Sequence, residues 1–443
     1  MSDTRRTVRT SARPGATAAA LALLRGAGAV VPVAAETLAE AFEVAQQADA
    51  RLAASRQQVV AAEAGVAAAQ ALAQPQVAVD ALYQRLSDEP AFRVHLAPLP
   101  AMALPVAPDR GWVYRAGVTL PLYTAGRLGS VAHAAEATQA AAQADDVRTR
   151  QDLRLVVAES YVAVLRAGQA LALADSGVAM LQAHERDVTQ LFAQGLVARN
   201  DLLAARSAAA NAQQDRIRAE TLLAIARAAY NRQLGRALDA PGALDGLDPP
   251  APATDAADTG RALSAPPPAR AELVALARQS EALRHQADAA RAAGRPQVLL
   301  SGGYQRLQNP YLVRDALWSV GVGLHWTLFD GGLQRGQGDA LQARAQALDA
   351  LRADARSQIA LQVHAATLQV DESRRRLAVT ALAVEQADEN LRVARDRYQS
   401  GVGSATEVLD AEALRQRSRS NHVNARYDQV LAGLRLQRAR GLL

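Results

Sequence analysis

The 443-residue sequence contains no cysteine, and only 4% of its residues are aromatic. The lack of cysteine excludes disulfides, thiolate metal sites, a cysteine nucleophile and a lipid anchor on an N-terminal cysteine. A compact core of this size normally takes much of its volume from large side chains, and few are present. Because alanine-rich helices each bury little surface, the composition favours long helices that pack along their length.

Net charge is also small outside the N-terminus. Residues 1–35 hold five arginines and one aspartate, which account for four of the five net charges. The rest of the chain is near neutral, so we expect no nucleic-acid partner. Residues 1–35 also combine an arginine-rich start, an apolar stretch and Val33-Ala34-Ala35 before a cleavage point. This layout predicts an export signal, and the alternative is a basic tail without structure.

The sequence contains an internal duplication, in which the second half repeats the first with an offset of 206 positions. The matched positions are Trp112, Gly117, Leu122, Gly126, Gly195 and Ala205 with Trp318, Gly323, Leu328, Gly332, Gly401 and Ala411. The tetrapeptide Tyr83-Gln84-Arg85-Leu86 returns as residues 304–307, at an offset of 221. A repeat this long indicates a duplicated half-molecule, since solenoid units are much shorter.

Each half is predicted to contain two strands and a long helical hairpin. The predicted parts are a first repeat over 36–234, with strands at 77–86 and 112–122 and a hairpin at 127–234; a linker over 235–268; and a second repeat over 269–443, with strands at 298–307 and 317–328 and a hairpin at 333–443. Period-two alternation identifies the strands, and long runs without proline identify the helices. A single helix is expected over 37–73, and the proline-rich stretch 87–110 is expected to be a loop.

The strands have one apolar face with Trp and Tyr near its ends, and their length of about ten residues suits a bilayer crossing. The alternative is a small sandwich packed on a helical body. Four strands cannot close a barrel, and an open sheet edge is not tolerated in hydrocarbon. Several chains must therefore share one barrel: two chains give eight strands with a filled interior, and three give twelve with a lumen.

Three sequence segments carry a resemblance to a known family. They are Leu122-Tyr123-Thr124-Ala125-Gly126-Arg127, Leu328-Phe329-Asp330-Gly331-Gly332, and Tyr398-Gln399-Ser400-Gly401 followed by Glu407-Val408-Leu409-Asp410-Ala411. With the duplicated order of elements, the chain resembles the TolC-like outer membrane efflux proteins, the outer membrane factor family. The resemblance implies a mainly α protein with membrane β-strands: a homotrimer with a 12-stranded β-barrel on an α-helical barrel.

Such channels are exit ducts of tripartite efflux or type I secretion systems. The resemblance therefore implies a periplasmic adaptor, an inner-membrane pump and outer-membrane lipid as partners. No cofactor or catalytic role is expected, because the sequence lacks a phosphate-binding lysine loop and a nucleophile elbow. No metal is expected, because the seven histidines include no pair at metal-ligand spacing. A periplasmic adaptor and a coiled-coil scaffold are the rival functions, although two hairpins and two membrane-length strand pairs fit neither.

The resemblance also assigns roles to four groups of residues. The groups are acidic rings at the periplasmic aperture (Glu407, Asp410); an aperture latch (Tyr398, Asp201, Asn200, Arg199); adaptor-docking tips (Gly195, Leu196, Val197, Gly401, Val402, Gly403); and membrane-facing aromatics (Tyr83, Trp112, Tyr114, Tyr304, Trp318, Trp326).

Each of the first three groups has a simpler interpretation that the sequence leaves open. The two acids suit any helix N-terminus, Asn200 and Asp201 suit helix caps, and glycine suits a helix C-cap. In addition, Gly403 stands where the family's latch arginine is expected, and Arg199 is a candidate substitute.

Overall fold

The computed structural model describes most of the chain. The described residues are 35–95, 98, 100–247 and 270–443. The predicted export signal, apart from Ala35, and most of the predicted linker lie outside these residues. The division into two repeats and a linker therefore stays a prediction.

Long helices dominate the described residues. The helices are α1 (Leu38–Ala48), α2 (Ala50–Ala71), α3 (Arg127–Ala193), α4 (Arg199–Gln233), α5 (Ala271–Ala292), α6 (Leu333–Gln399) and α7 (Ala405–Arg440). The strands are β1 (Gln76–Arg85), β2 (Ala91–Val94), β3 (Met102–Pro105), β4 (Arg110–Tyr123), β5 (Gln297–Leu307) and β6 (Ala316–His325). The fold is thus mainly α with a small amount of β-structure, as the sequence predicts.

Four strands form one antiparallel sheet in the order β1-β4-β5-β6. Strands β1 and β6 are its edges, and each pairs on one side only within the described residues. The remaining strands, β2 and β3, form a separate antiparallel hairpin. The expectation of a loop over 87–110 was therefore wrong in part, because Pro90 and Pro105 lie at the ends of this hairpin and leave its backbone pairs intact.

The expectation of a single helix over 37–73 is also wrong, because the helix is interrupted at Asp49. The backbone of Asp49 is extended (φ −72°, ψ 120°), and its carboxylate accepts hydrogen bonds from the Arg51 (2.8 Å) and Leu52 (3.0 Å) amides. Asp49 thus caps the N-terminus of α2. An aspartate that satisfies two free amides of a new helix compensates for the lost turn of the old one.

The two longest helices, α3 and α6, have 67 residues each and are about 100 Å long. Each begins after a glycine with a left-handed backbone, Gly126 (φ 84°) and Gly332 (φ 89°). Return helices α4 and α7 pack against α3 and α6 respectively, and α3 also contacts α2, α5 and α7. The molecule is therefore a sheet at one end of a bundle of helical hairpins.

The helical core includes a cluster around Tyr161, which is fully buried with Leu52, Val157 and Tyr230. The Tyr161 hydroxyl lies 2.7 Å from the Glu36 carbonyl and 2.8 Å from the Asp245 carbonyl. These contacts attach the N-terminal segment and the start of the linker to the bundle. One described helix, α3, has a stretch long and apolar enough to cross a membrane. Four buried residues of α3 belong to this core: Leu153, Val157, Tyr161 and Val164.

Candidate functional site

One face of the sheet is apolar across all four strands. The register pairs Val79 with Ala116, Ala116 with Tyr304, and Tyr304 with Trp318, so the alternating apolar positions of neighbouring strands share a side. We call this side the outward face. Its side chains are solvent-exposed in the single chain: Val79 is 77% exposed and Trp318 is 79% exposed. An apolar face this extensive must be covered by lipid or protein.

The predicted membrane-facing aromatics lie on or next to this face. Five of them, Tyr83, Trp112, Tyr114, Tyr304 and Trp318, are near the end farthest from the helices, and Trp326 follows directly after β6 near the helical end. The rings of Tyr83 and Trp112 are 5.2 Å apart. The ten residues of β6 span about 31 Å, or about 24 Å at a tilt of about 40°, which matches the apolar band of outer-membrane barrels.

The opposite face, the inward face, carries mostly small or polar side chains, and its large apolar members include Leu82, Val113, Leu299, Leu307 and Leu317. Asp80 lies opposite Arg115 in the register, and Ser301 lies opposite Gly321. The inward face lines a concavity of about 640 Å³. With one apolar and one polar side, the sheet suits a wall between hydrocarbon and water.

The far ends of the helical hairpins are two matching turns. Gly195 (φ 76°) and Gly401 (φ 75°) terminate α3 and α6, and in each turn the next amide reaches back five residues, Leu196 to the Leu191 carbonyl and Val402 to the Arg397 carbonyl, both at 3.0 Å. This is the Schellman arrangement, so both glycines serve as helix C-caps. The apolar side chains of Leu196 and Val402 are exposed in these two turns.

The remaining tip residues are packed. Val197 contacts a cluster formed by Val188, Leu202 and Ala205. A Cβ atom on Gly403 would lie 3.0 Å from both the Arg397 Cβ and the Tyr398 amide nitrogen. A side chain at the position where the family's latch arginine is expected would therefore require Arg397 and Tyr398 to shift by a few tenths of an ångström.

The two predicted aperture acids are exposed on the first turns of α7. Ser404 caps this helix by accepting from the Glu407 amide (3.2 Å). The Glu407 Oε2 atom is 3.7 Å from the Arg397 Nε atom, and Asp410 lies one turn farther along the helix. Both carboxylates are thus free to face a neighbouring chain or an aqueous channel.

The predicted latch residues divide into two pairs. Tyr398 and Asp201 line a groove of about 1140 Å³ between the two hairpin ends, whereas Asn200 and Arg199 are exposed outside it. The cap of α4 is Ala198, so neither Asn200 nor Asp201 caps this helix. The Tyr398 hydroxyl is buried without a hydrogen-bond partner among the described residues, so no hydrogen bond joins it to Asp201.

The ionisable residues of the groove that the sequence analysis missed include His184 and Glu412. The His184 ring is 5.7 Å from the Tyr398 ring, and its Nε2 atom is buried without a partner among the described residues. Burial lowers the pKa of His184 and raises the pKa of Tyr398. Glu412 is 4% exposed and lies 3.3 Å from Arg415, and its burial raises the pKa of the carboxyl group.

The sequence was compared with protein-family models. Residues 41–236 and 269–442 match the family described as outer membrane efflux protein. The chain belongs to this family. The efflux protein is therefore an outer-membrane protein whose helices extend into the periplasm, and the predicted family is confirmed.

Solved structures show that the efflux protein shares its fold with outer-membrane channels. VceC from Vibrio cholerae is 19% identical, with a TM-score of 0.77 over 91% of this chain and 96% of that one. CusC is 18% identical, with a TM-score of 0.76 over 91% of both chains. The MtrE channel of Neisseria gonorrhoeae is 18% identical, with a TM-score of 0.71 over 91% of this chain and 88% of that one. A search of curated proteins finds no match to the sequence.

Proposed function

We propose that the efflux protein is the passive exit duct of a tripartite efflux or type I secretion system. In this role three copies form one channel, which docks to a periplasmic adaptor and an inner-membrane pump. The observation that carries the proposal is the sheet, whose outward face is apolar and whose edge strands β1 and β6 each have one side unpaired within the described part of the chain. Neither an adaptor nor a soluble scaffold has a use for such a surface.

The unpaired edges support an assembly of several chains. In hydrocarbon each free amide or carbonyl costs several kcal/mol, so β1 of one chain must pair with β6 of the next. Three chains supply twelve strands and a barrel wide enough for a lumen, whereas the eight strands of two chains would be filled by side chains. Cargo passage requires the wider barrel.

The helical tips support docking of an adaptor. Leu196 and Val402 are exposed, and the glycines beside them let another helix approach closely. The charge substitutions Leu196→Asp and Val402→Asp together are expected to abolish binding of the adaptor hairpin without changing the assembly of the barrel. Retained adaptor binding would remove the tips from the docking surface.

The acids and latch residues near the tips support an aperture at the periplasmic end. Three copies of Glu407 and Asp410 would form two negative rings that favour cations. Tyr398 and Asp201, with Asn200 and Arg199 beside them, are placed to restrain the hairpins in a closed state. The Tyr398 hydroxyl, which is unpaired among the described residues, is available to form a hydrogen bond when the hairpins shift.

Engineered disulfides test the assembly directly, because the natural chain has no cysteine. Ala78→Cys on the inward face of β1 is combined in turn with Ser319→Cys, Gly321→Cys or Gly323→Cys on the inward face of β6. Neighbouring strands place such Cβ atoms within disulfide reach in one register only. Oxidation in the membrane is expected to give a covalent species of three chains for one combination.

The single-cysteine variants are the controls and must stay monomeric on a denaturing gel. A closed species of two chains would contradict the trimer. Absence of cross-links in every combination, together with no conductance in planar bilayers, would contradict the duct itself.

A further inference from the structure

Three arginines extend the outward face beyond its aromatic side chains, at the end farthest from the helices. In each strand the arginine is two residues beyond an aromatic residue, and alternation therefore places both on the same side. The pairs are Tyr83 and Arg85 in β1, Trp112 and Arg110 in β4, and Tyr304 and Arg306 in β5. We call Arg85, Arg110 and Arg306 the arginine belt.

The belt has more positive charge than its neighbours neutralise. Arg85 and Arg110 are directly opposite each other in the β1–β4 register, and like charges in this position destabilise a sheet. Arg85 has no acidic partner among the described residues. The Arg110 Nε atom is 4.0 Å from an Asp109 carboxylate oxygen, and Arg306 has Asp315 at 3.1 Å.

The duplication repeats part of this arrangement. Arg85 and Arg306 are the same position of the tetrapeptide Tyr-Gln-Arg-Leu, which occurs at 83–86 and 304–307. Arg110, in contrast, has Ala316 as its counterpart in the second half. The excess charge is therefore concentrated on β1 and β4, where Arg85 and Arg110 are opposite each other in the register and only Arg110 has an acidic neighbour among the described residues.

We propose that the arginine belt binds the phosphate groups of a phosphorylated glycolipid in the outer leaflet of the outer membrane. The proposal rests on the duct orientation, in which the helices extend into the periplasm and the opposite end of the sheet reaches the outer leaflet. Guanidinium groups bind phosphate oxygens in a bidentate manner, and a phosphate between Arg85 and Arg110 removes their mutual repulsion. The aromatic rings one step below then contact the acyl boundary.

The test uses purified lipid A as the probe and full-length, detergent-solubilised protein. Binding of fluorescent lipid A is read by energy transfer from tryptophan, since Trp112 is two residues from Arg110. Each arginine near a membrane surface contributes about fivefold to anion affinity, so the triple variant Arg85→Gln/Arg110→Gln/Arg306→Gln is expected to bind about 100-fold more weakly. Dephosphorylated lipid A should bind the natural protein as weakly as lipid A binds this variant.

Arg115→Gln is the matched control, because it removes the same charge from the inward face of β4. The Arg115→Gln variant should bind lipid A with the same affinity as the natural protein. Inorganic phosphate, added at the lipid A concentration that saturates the protein, should not displace lipid A. Equal binding by the triple variant, or an equal loss in Arg115→Gln, would overturn the proposal. Conductance in phosphatidylcholine bilayers is measured separately: its absence in the natural protein would refute the duct and leave the lipid measurement interpretable.

Discussion

Glu272 joins two buried arginines where the last helix of the chain meets α5, and removing its charge should destabilise the bundle. Its Oε1 atom is 2.7 Å from Arg270 and 2.7 Å from Arg438, and both arginines are 7% exposed. Arg438 also pairs with Asp152 of α3, so this arginine of α7 connects α3 with α5 through two carboxylates. The substitution Glu272→Gln keeps the shape of the side chain and removes its charge.

The expected loss follows from the pKa of Glu272. Burial alone raises this pKa, but hydrogen bonds from Arg270 and Arg438 outweigh it and lower the pKa from 4.5 to about 2. The difference between a pKa of 4.5 and one of about 2 corresponds to about 3 kcal/mol, and solvent screening of the partly exposed carboxylate leaves about 2 kcal/mol. The ionised form is favoured in the folded state, so this stability is complete above pH 4.5 and is lost as the pH falls towards 2.

Helix-detected urea unfolding in detergent measures this effect. Glu272→Gln should lower the free energy of unfolding by about 2 kcal/mol at pH 7, and the difference should shrink as the pH falls from 4.5 to about 2. Glu281→Gln is the control, because Glu281 forms an exposed pair with Arg278 on the same helix and should cost less than about 0.5 kcal/mol. Equal effects of the two substitutions, or a loss in Glu272→Gln that does not depend on pH, would refute the reasoning.

Three further predictions concern the two ends of the molecule. Glu407→Gln combined with Asp410→Asn should weaken block of bilayer conductance by multivalent cations, and unchanged block would remove these acids from the aperture. Val320→Arg on the outward face should destabilise the folded barrel by about 2–4 kcal/mol and so reduce the folded fraction in membranes, which a gel-shift assay measures. Ser319→Arg on the inward face should fold normally in that assay. Gly403→Arg should lower the free energy of unfolding by about 1–3 kcal/mol, because its Cβ atom would lie 3.0 Å from the Arg397 Cβ and the Tyr398 amide nitrogen. A higher free energy of unfolding would show that the arginine finds a latch partner.

The sequence predicted the features that depend on periodicity. Trp318, Val320 and Val322 alternate with small or polar residues, so β6 and its outward face follow from local pattern alone. The long helices follow from the absence of proline, and the duplication fixes their equivalence. These signals are strong because each is repeated many times along the chain.

Features that depend on a single residue or on a distant neighbour were missed. Asp49 ends one helix and caps the next, and nothing in the surrounding alanine-rich sequence distinguishes it from an ordinary helical aspartate. His184 and Glu412 became buried only when the two hairpins packed together. Glu412 does share a helix face with Ala405 and Val408, and this spacing could have identified it as a buried acid.

The equal lengths of α3 and α6 constrain how this chain can change. Both helices have 67 residues, so both turns end at the same distance from the sheet. An inserted residue in either helix would displace its turn by about 1.5 Å and rotate everything beyond it by about 100°. Insertions and deletions are therefore tolerated in the loops at the end of the sheet farthest from the helices. In α3 and α6 they must occur in both helices together if the turns at Gly195 and Gly401 are to stay at the same level.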